Sequence, residues 1–540
     1  MTKQKKQSEI KRILALPTAP DTIPDLTPKL RRPGGQMRLF PIQNRALWAA
    51  YQAKGMLGLI SVGSGKTLIS ILLPRVLGAR RPLLLIPASM REPFDDLWRE
   101  YAKHFYVSKI KVMSYAQLSN PKSRTALLDM RPDLIIADEA HYLRHRSSAR
   151  TRRVIEYLRK HPDCRFCCMS GTLTNRSIHD YAHLSVMALR AGTPLPRDWF
   201  TLNAFSQVLD ADTRASKNDW RIFESFFRGV AGYKLKLNEG SARQAFRHRL
   251  VRTPGVVATR AKDIGSSLII TQRTPKVPPK VEEVLQRMEA TWEAPNGDEI
   301  SDPMTMARYA RQVSQGFYYE WEWPNGVVDH EWLKARKQWN RWVRMILQSN
   351  RLGLDSPLLV TNALRDGRLK NQKALDALRK WESVKDRPEP PTVARWIDPW
   401  LVRDAVKWGR EQEDPPILWY DSLAVEAALR HMGIPVYGAG TVIPAEKPSL
   451  IGASIAVHGT GKNLQAWRNQ LVISPPSSGK AWEQLLGRMH RTGQQADEVH
   501  CHVYNHTLAF QAALEKAKRD ADYIFSTQGQ KQRLAYATWK

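Results

Sequence analysis

A glycine-rich pentapeptide, Gly63-Ser64-Gly65-Lys66-Thr67, follows the apolar run Met56–Val62 and opens a helical stretch over Leu68–Leu77. In a strand–loop–helix setting, glycine backbone N–H groups can wrap a phosphate at the positive end of a helix dipole. Gly63, Ser64 and Gly65 would form the cradle and Lys66 would reach the β- and γ-phosphates of ATP. The Thr67 hydroxyl would ligate Mg2+. Where the strict pattern carries a further glycine, this chain has Ile60. The cradling glycines are in place all the same.

A carboxylate pair stands where such a loop requires it. Leu134-Ile135-Ile136-Ala137 reads as a buried strand and delivers Asp138-Glu139-Ala140-His141 at its C-terminal end. Parallel α/β sheets bind ligands outside the C-terminal ends of their strands, so these side chains can meet the glycine loop. Asp138 is the second candidate Mg2+ ligand, and Glu139 would orient and deprotonate an attacking water. Hydrolysis also needs cations against the charge developing on the γ-phosphate. Gln484-Leu485-Leu486-Gly487-Arg488-Met489-His490-Arg491 offers them, because Arg488 and Arg491 lie three apart on one helical face. Lys66, Glu139, Gln484, Arg488 and Arg491 form the candidate catalytic set of an ATP hydrolase.

The elements that must position these residues follow a recognisable alternation. Short apolar runs at Met56–Val62, Leu83–Ile86, Lys111–Tyr115, Leu134–Ala137 and Phe166–Met169 are separated by amphipathic stretches. That pattern predicts a parallel sheet covered by helices on both faces. The pattern returns late in the chain at Ile417–Tyr420, Val436–Tyr437, Ile455–His458, Leu471–Ser474 and Val499–Tyr504. Between the two, charged helical segments such as Lys280–Trp292 and Trp332–Gln348 dominate. Eleven of the eighteen tryptophans fall between Trp292 and Trp419. Trp332, Trp339 and Trp342 share one helical face and are expected to anchor a helical insertion.

The expected fold class is therefore α/β, with two parallel-sheet lobes and a largely helical, Trp-rich insertion. The expected order is a basic, Pro-rich leader (1–36), the first lobe (37–190), the insertion (191–394), the second lobe (395–525) and a basic tail (526–540). A single core stops growing near roughly 250–300 residues, so the 540-residue length agrees with two lobes.

Composition narrows the partners. The chain carries 83 Lys and Arg against 52 Asp and Glu, a formal charge of +31, which favours a polyanion and above all nucleic acid. Arg144, Arg146, Arg150, Arg152 and Arg153 form one basic cluster, and Arg243, Arg247, Arg249 and Arg252 another. No apolar stretch approaches the ~18 residues of a membrane helix, and the basic start of the chain lacks the apolar core of a secretory signal. Four cysteines in 540 residues make no disulfide framework and point to a reducing compartment. Cys164 and Cys167 lie in an apolar run that reads as a strand rather than a zinc site.

Taken in order, these segments resemble helicase superfamily two, and within it the Swi/Snf-type DNA translocases, including short phage-encoded forms. Met37-Arg38-Leu39-Phe40-Pro41-Ile42-Gln43 is similar to the adenine-reading glutamine motif. Gly63–Thr67 is similar to motif I, Leu84–Ser89 to motif Ia, and Asp138–His141 to motif II. Ser170-Gly171-Thr172-Leu173-Thr174-Asn175 is similar to motif III, Ile417–Tyr420 to motif IV, Gly459–Gln465 to motif V and Gln484–Gln494 to motif VI. The resemblance implies two RecA-like lobes with ATP between them and Gln43 at the nucleotide. It also implies that His141, Ser170 and Thr172 couple nucleotide state to lobe closure. Pro87, Ala88, Ser89, Thr460 and Asn463 would touch nucleic-acid backbone, double-stranded DNA first. Ser61-Val62-Gly63-Ser64-Gly65 departs from the acidic-Met-Gly-Leu-Gly core of remodelling enzymes, so a compact motor of the bacterial or phage-infected cytoplasm is expected, acting as a monomer. A strand-separating helicase and an ATP-gated binding module without motor activity are the alternatives.

Overall fold

The computed structural model describes residues 3–540 apart from 175, 233–234, 260–265, 324–325, 350–356, 389, 445–448, 460–462 and 492. Six short strands build the first sheet: β1 (Met56–Leu59), β2 (Pro82–Ile86), β3 (Lys111–Ser114), β4 (Leu134–Asp138), β5 (Arg165–Ser170) and β6 (Val256–Ala258). They run parallel in the order β3-β2-β4-β5-β1-β6. Strands β1, β2 and β4 are buried along their whole length, which is why they read as unbroken apolar runs. Successive side chains point to opposite faces. Leu83, Leu85, Ile135 and Ala137 therefore enter one core, and Leu84, Ile86, Leu134 and Ile136 enter the other. Each of the leucines and isoleucines among them contributes roughly 1.5–3 kcal/mol on burial.

Beyond the first sheet come β7 (Ser267–Arg273), the antiparallel pair β8 (Phe317–Trp321) and β9 (Thr392–Trp396), and β10 (Ile417–Tyr420). They are followed by β11 (Val436–Tyr437), β12 (Ile451–Ser454), β13 (Asn469–Val472), β14 (Glu498–Tyr504) and β15 (Thr538–Trp539). The second sheet is also parallel and has seven strands, β11-β12-β10-β13-β14-β7-β15. The molecule is thus α/β with two large parallel sheets.

Four boundaries differ from those the sequence suggests. The segment 191–394 is not one insertion. Helices Trp199–Leu209, Lys217–Ala231 and Glu239–Val251 pack Phe205, Phe223, Phe226 and Phe246 into the first sheet's core, and β6 pairs with β1. Strand β7 then crosses to the second sheet beside β14. Among the described residues of this segment, the helices between β8 and β9 hold a core of their own, where Trp332 meets Trp321, Trp323 and Trp381 edge to face.

The expected leader contains a helix, Lys3–Leu14, whose Ile10 and Ile13 are buried in the first core. The expected tail supplies β15 and the fully buried Arg533. The run Ile455–His458 is one helical turn, because the strand before it has already ended at Ser454. Among the described residues no helix is long and apolar enough to cross a membrane.

Candidate active site

The strand order of the first sheet sets the site. β5 lies between β1 and β4, and the register puts Leu59 beside Ser170 and Asp138 beside Met169. The loop after β1, the turn after β4 and Ser170 therefore emerge side by side at the strands' C-terminal ends. Gly63 and Gly65 take left-handed conformations, φ +90° and +72°, and Gly65 caps the helix Lys66–Leu77. Side chains disfavour that region, and here space forbids them as well. A Cβ on Gly65 would lie 2.1 Å from Gln43 Nε2. Gln43, near the start of the helix Pro41–Ala53, accepts from the Phe40 N–H at 2.8 Å and donates to the Gly65 carbonyl at 3.4 Å.

Lys66 is buried, with Nζ 3.4 Å from the carbonyls of Ile60 and Ser61 and 3.4 Å from Glu139 Oε1. Glu139 is itself left-handed, with φ +52°, an uncommon state for a residue with a side chain. Two bonds hold that turn. Asp138 Oδ1 accepts the Glu139 N–H at 2.9 Å, and the Tyr115 hydroxyl donates to the Asp138 carbonyl at 2.6 Å. The Ser170 hydroxyl donates to Glu139 Oε2 at 3.1 Å and accepts the Thr172 N–H at 3.2 Å. His141 Nδ1 lies 3.0 Å from Ser170 Oγ and 3.2 Å from Glu139 Oε2, so this nitrogen is assigned the proton. The buried Thr172 hydroxyl has no hydrogen-bond partner among the described residues.

The two carboxyls are driven apart. Burial pushes Asp138 up to about 6, reinforced by the neighbouring Glu139 charge and opposed by Lys66. Burial would raise Glu139 too, but Lys66, His141 and Ser170 outweigh it and hold that group well below the usual carboxylate range. One site thus contains a reluctant anion beside a firmly ionised one.

The second sheet closes the site from the other side. A Cβ on Gly63 would lie 2.9 Å from Arg491 Cβ, so Arg491 sits directly on the glycine loop, and its buried Nε has no hydrogen-bond partner among the described residues. Arg488 is buried and donates from Nε to the Gln484 carbonyl at 2.9 Å. Burial, then the charge of Arg491, push the Arg488 guanidinium down, while Glu139 opposes this. A guanidinium stays charged at physiological pH, so the shift expresses an unfavourable crowding of cations that an incoming anion relieves.

Lys480, absent from the sequence-derived set, joins them from the preceding helix, Gly479–Leu486. Its Nζ lies 6.0 Å from the Tyr142 ring centroid. Burial pushes it down to about 8 against the pull of Glu139. On that helix Lys480 stands one turn before Gln484, a spacing present in the sequence, but the helix ends at Leu486, so Arg488 and Arg491 lie in the turn beyond it and not on the shared helical face expected for them.

The sequence-derived residues fall into three groups. Gln43, Gly63, Gly65, Lys66, Asp138, Glu139, His141, Ser170, Thr172, Arg488 and Arg491 meet in the cluster just described. Ser64 and Thr67 belong to its loop and first helical turn, and Gln484 stands on the helix below Arg488. Among the described contacts Pro87, Ala88 and Asn463 stand outside it: Pro87 and Ala88 turn out of β2, and Asn463 is exposed. Thr460 lies outside the described residues, as do Asn175 and the side chain of Ser89.

Chemically, the site gathers Lys66, Lys480, Arg488 and Arg491 around two carboxylates, with backbone amides at a helix start. That set suits a polyanion carrying a divalent cation. The Thr67 hydroxyl and the Asp138 carboxylate, one residue type each of hard oxygen donor, fit Mg2+. No protein-family model matches the chain, and no curated protein matches it significantly.

Proposed function

We propose that the protein is a nucleic-acid-dependent ATPase whose two parallel-sheet lobes, RecA-like in arrangement, form a motor on double-stranded DNA. The observation that carries this reading is the seating of Arg491, from the second lobe, on Gly63 of the first lobe's glycine loop. A site completed by two lobes makes hydrolysis depend on how the lobes stand, which is what a motor needs.

The triphosphate of ATP would lie along the Gly63–Thr67 backbone, with Lys66 on its β/γ end. Thr67 and Asp138 would hold Mg2+, which supplies charge neutralisation when bound. Lys66 now faces Glu139 at 3.4 Å. Moving the ammonium onto phosphate removes the main influence that keeps Glu139 a weak base. Nucleotide binding therefore raises the basicity of the group that must take the proton from water. Ser170 and His141 keep its carboxylate oriented meanwhile. Arg488 and Arg491, with Lys480 beside them, offset charge as it develops on the γ-phosphate.

The same hydroxyl that orients Glu139 also holds the Thr172 N–H. The base is thereby tied to the loop after β5, which faces the second lobe. A change at the γ-phosphate is felt as a change in lobe contact, and repeated closure ratchets the track. Contacts to backbone phosphates rather than bases make such stepping insensitive to sequence.

Phosphate release tests this directly. Lys66→Ala and Glu139→Gln should each lower ATP turnover at least ~100-fold, the usual range for loss of a charge-stabilising group and of a positioned acid–base group respectively, while DNA binding persists. Either variant hydrolysing at the wild-type rate contradicts the assignment.

A further inference from the structure

The chain's last twelve residues lie where the two lobes meet. The long helix Leu508–Gln528 has Leu514, Ala517 and Ala521 in the second core, yet Tyr523 donates to Asp210 at 2.8 Å and Asp520 accepts from Arg176 at 2.8 Å, both on the first lobe's side. Gly529, with φ +71°, then turns the chain back. The Gln530 amide nitrogen donates to the Gly171 carbonyl at 2.7 Å and to Ser61 Oγ at 3.2 Å. Gln532 reaches the same Gly171 carbonyl at 3.5 Å.

Arg533 is 1% exposed and pairs with Glu483, which also accepts its N–H at 2.7 Å. It donates further to the His490 carbonyl at 2.7 Å and to the Val62 carbonyl at 3.1 Å. The last two residues but one form β15 on β7.

The contacts of Gln530, Gln532 and Arg533 land beside parts of the nucleotide site. Ser61 and Val62 lead into Gly63, Gly171 separates Ser170 from Thr172, Glu483 and His490 flank Arg488, and His490 precedes Arg491. We infer that residues 529–540 are a positioning clasp, which holds the arginine-bearing segment of the second lobe over the glycine loop before nucleotide arrives. This rests on the ATPase reading above and goes beyond it. Arg533 and Gln530 touch no substrate and act through Arg491 and the loop.

Preorganising the two lobes in this way removes most of the ordering that a bimolecular encounter of the half-sites requires. The clasp is also incompletely satisfied. Oε1 of both Gln530 and Gln532 is buried with no hydrogen-bond partner among the described residues, a local cost carried by the closed arrangement.

The test uses the full chain with Gln530→Ala/Gln532→Ala, which removes interlobe bonds and leaves the Arg533–Glu483 pair intact. All four native cysteines are buried, so Arg159→Cys and Lys407→Cys, at exposed positions on the two lobes, accept spin labels specifically. Without nucleotide, the wild-type background should give one narrow interlobe distance, and the double variant a broadened distribution extending to longer distances. DNA-stimulated kcat should fall about tenfold, with affinity for a fluorescent ATP analogue nearly unchanged and melting temperature retained. An unaltered distance distribution, or an unaltered kcat, overturns the clasp. A wild-type chain with no ATPase would sink the underlying reading instead, and the distance measurement would still judge the clasp by itself.

Discussion

At the scale of single residues, the informative feature is the opposition between Asp138 and Glu139. They are adjacent and both confined, yet one is pushed up to about 6 and the other held far down. If Asp138 must be ionised to hold the metal, kcat/KM for ATP should fall below about pH 6, roughly tenfold per unit at the limit, with the pH–rate profile reporting the free enzyme. A profile flat to pH 5 contradicts that role. The sign for stability is opposite to the usual carboxylate case. The folded value lies above the unfolded one, so ionised Asp138 costs stability at neutral pH, and that cost begins to shrink as pH falls below about 6 and is gone once pH drops below the ordinary value of 3.8. Asp138→Asn should therefore raise the melting temperature at pH 7.5 while abolishing Mg2+-dependent turnover, a pairing that a purely structural aspartate would not give. Lys480 provides a second check. Lys480→Ala should lower kcat about tenfold or more while leaving KM for ATP within about threefold, as removal of a charge felt chiefly in the transition state does.

At the scale of elements, the glycine loop and the Arg533 pair are the two joints on which the site depends. Gly65→Ala meets both a left-handed backbone and Gln43 Nε2 at 2.1 Å, so binding of a fluorescent nucleotide should be lost. Adding Gln43→Ala relieves only the contact and should not restore it. Arg533→Ala strands Glu483 at 1% exposure without its partner, and breaking such a buried pair costs about 3–5 kcal/mol, readable in urea unfolding. The loop, the carboxylate turn and the arginine segment were legible in sequence because each follows or starts an element announced by an apolar run. β6, β7 and β15 were not. They are short or flanked by polar residues, and each pairs with a strand far away in the chain, so no local pattern marks them. Parallel pairing writes its signal in the partner. Arg533 falls in the expected basic tail for the same reason: its partners, Glu483, His490 and Val62, all lie more than forty residues earlier. Ile455–His458 shows the converse error, an apolar run taken for a strand that had ended one residue before.

At the scale of the whole molecule, the charge of +31 is partly spent on the fold. Arg150 and Arg153 donate to carbonyls of Tyr142 and of Leu118 and Asn120, Arg243 to Leu209, and the buried Arg249 to Leu16 and Pro17. Arg146, Arg152 and Arg252 remain exposed. The number of phosphates neutralised should accordingly be far below the number of basic residues. Titration of a duplex between 50 and 200 mM salt should give a log–log slope equivalent to roughly five to ten released counterions, and a slope near zero contradicts a phosphate-tracking surface. If hydrolysis is coupled to movement along intact duplex, the protein should displace the third strand of a DNA triplex. Displacement should require ATP with the wild-type chain and be absent with Glu139→Gln, and the underlying duplex should stay paired. Strand separation, or hydrolysis stimulated only by single strands with no triplex displacement, would contradict that coupling.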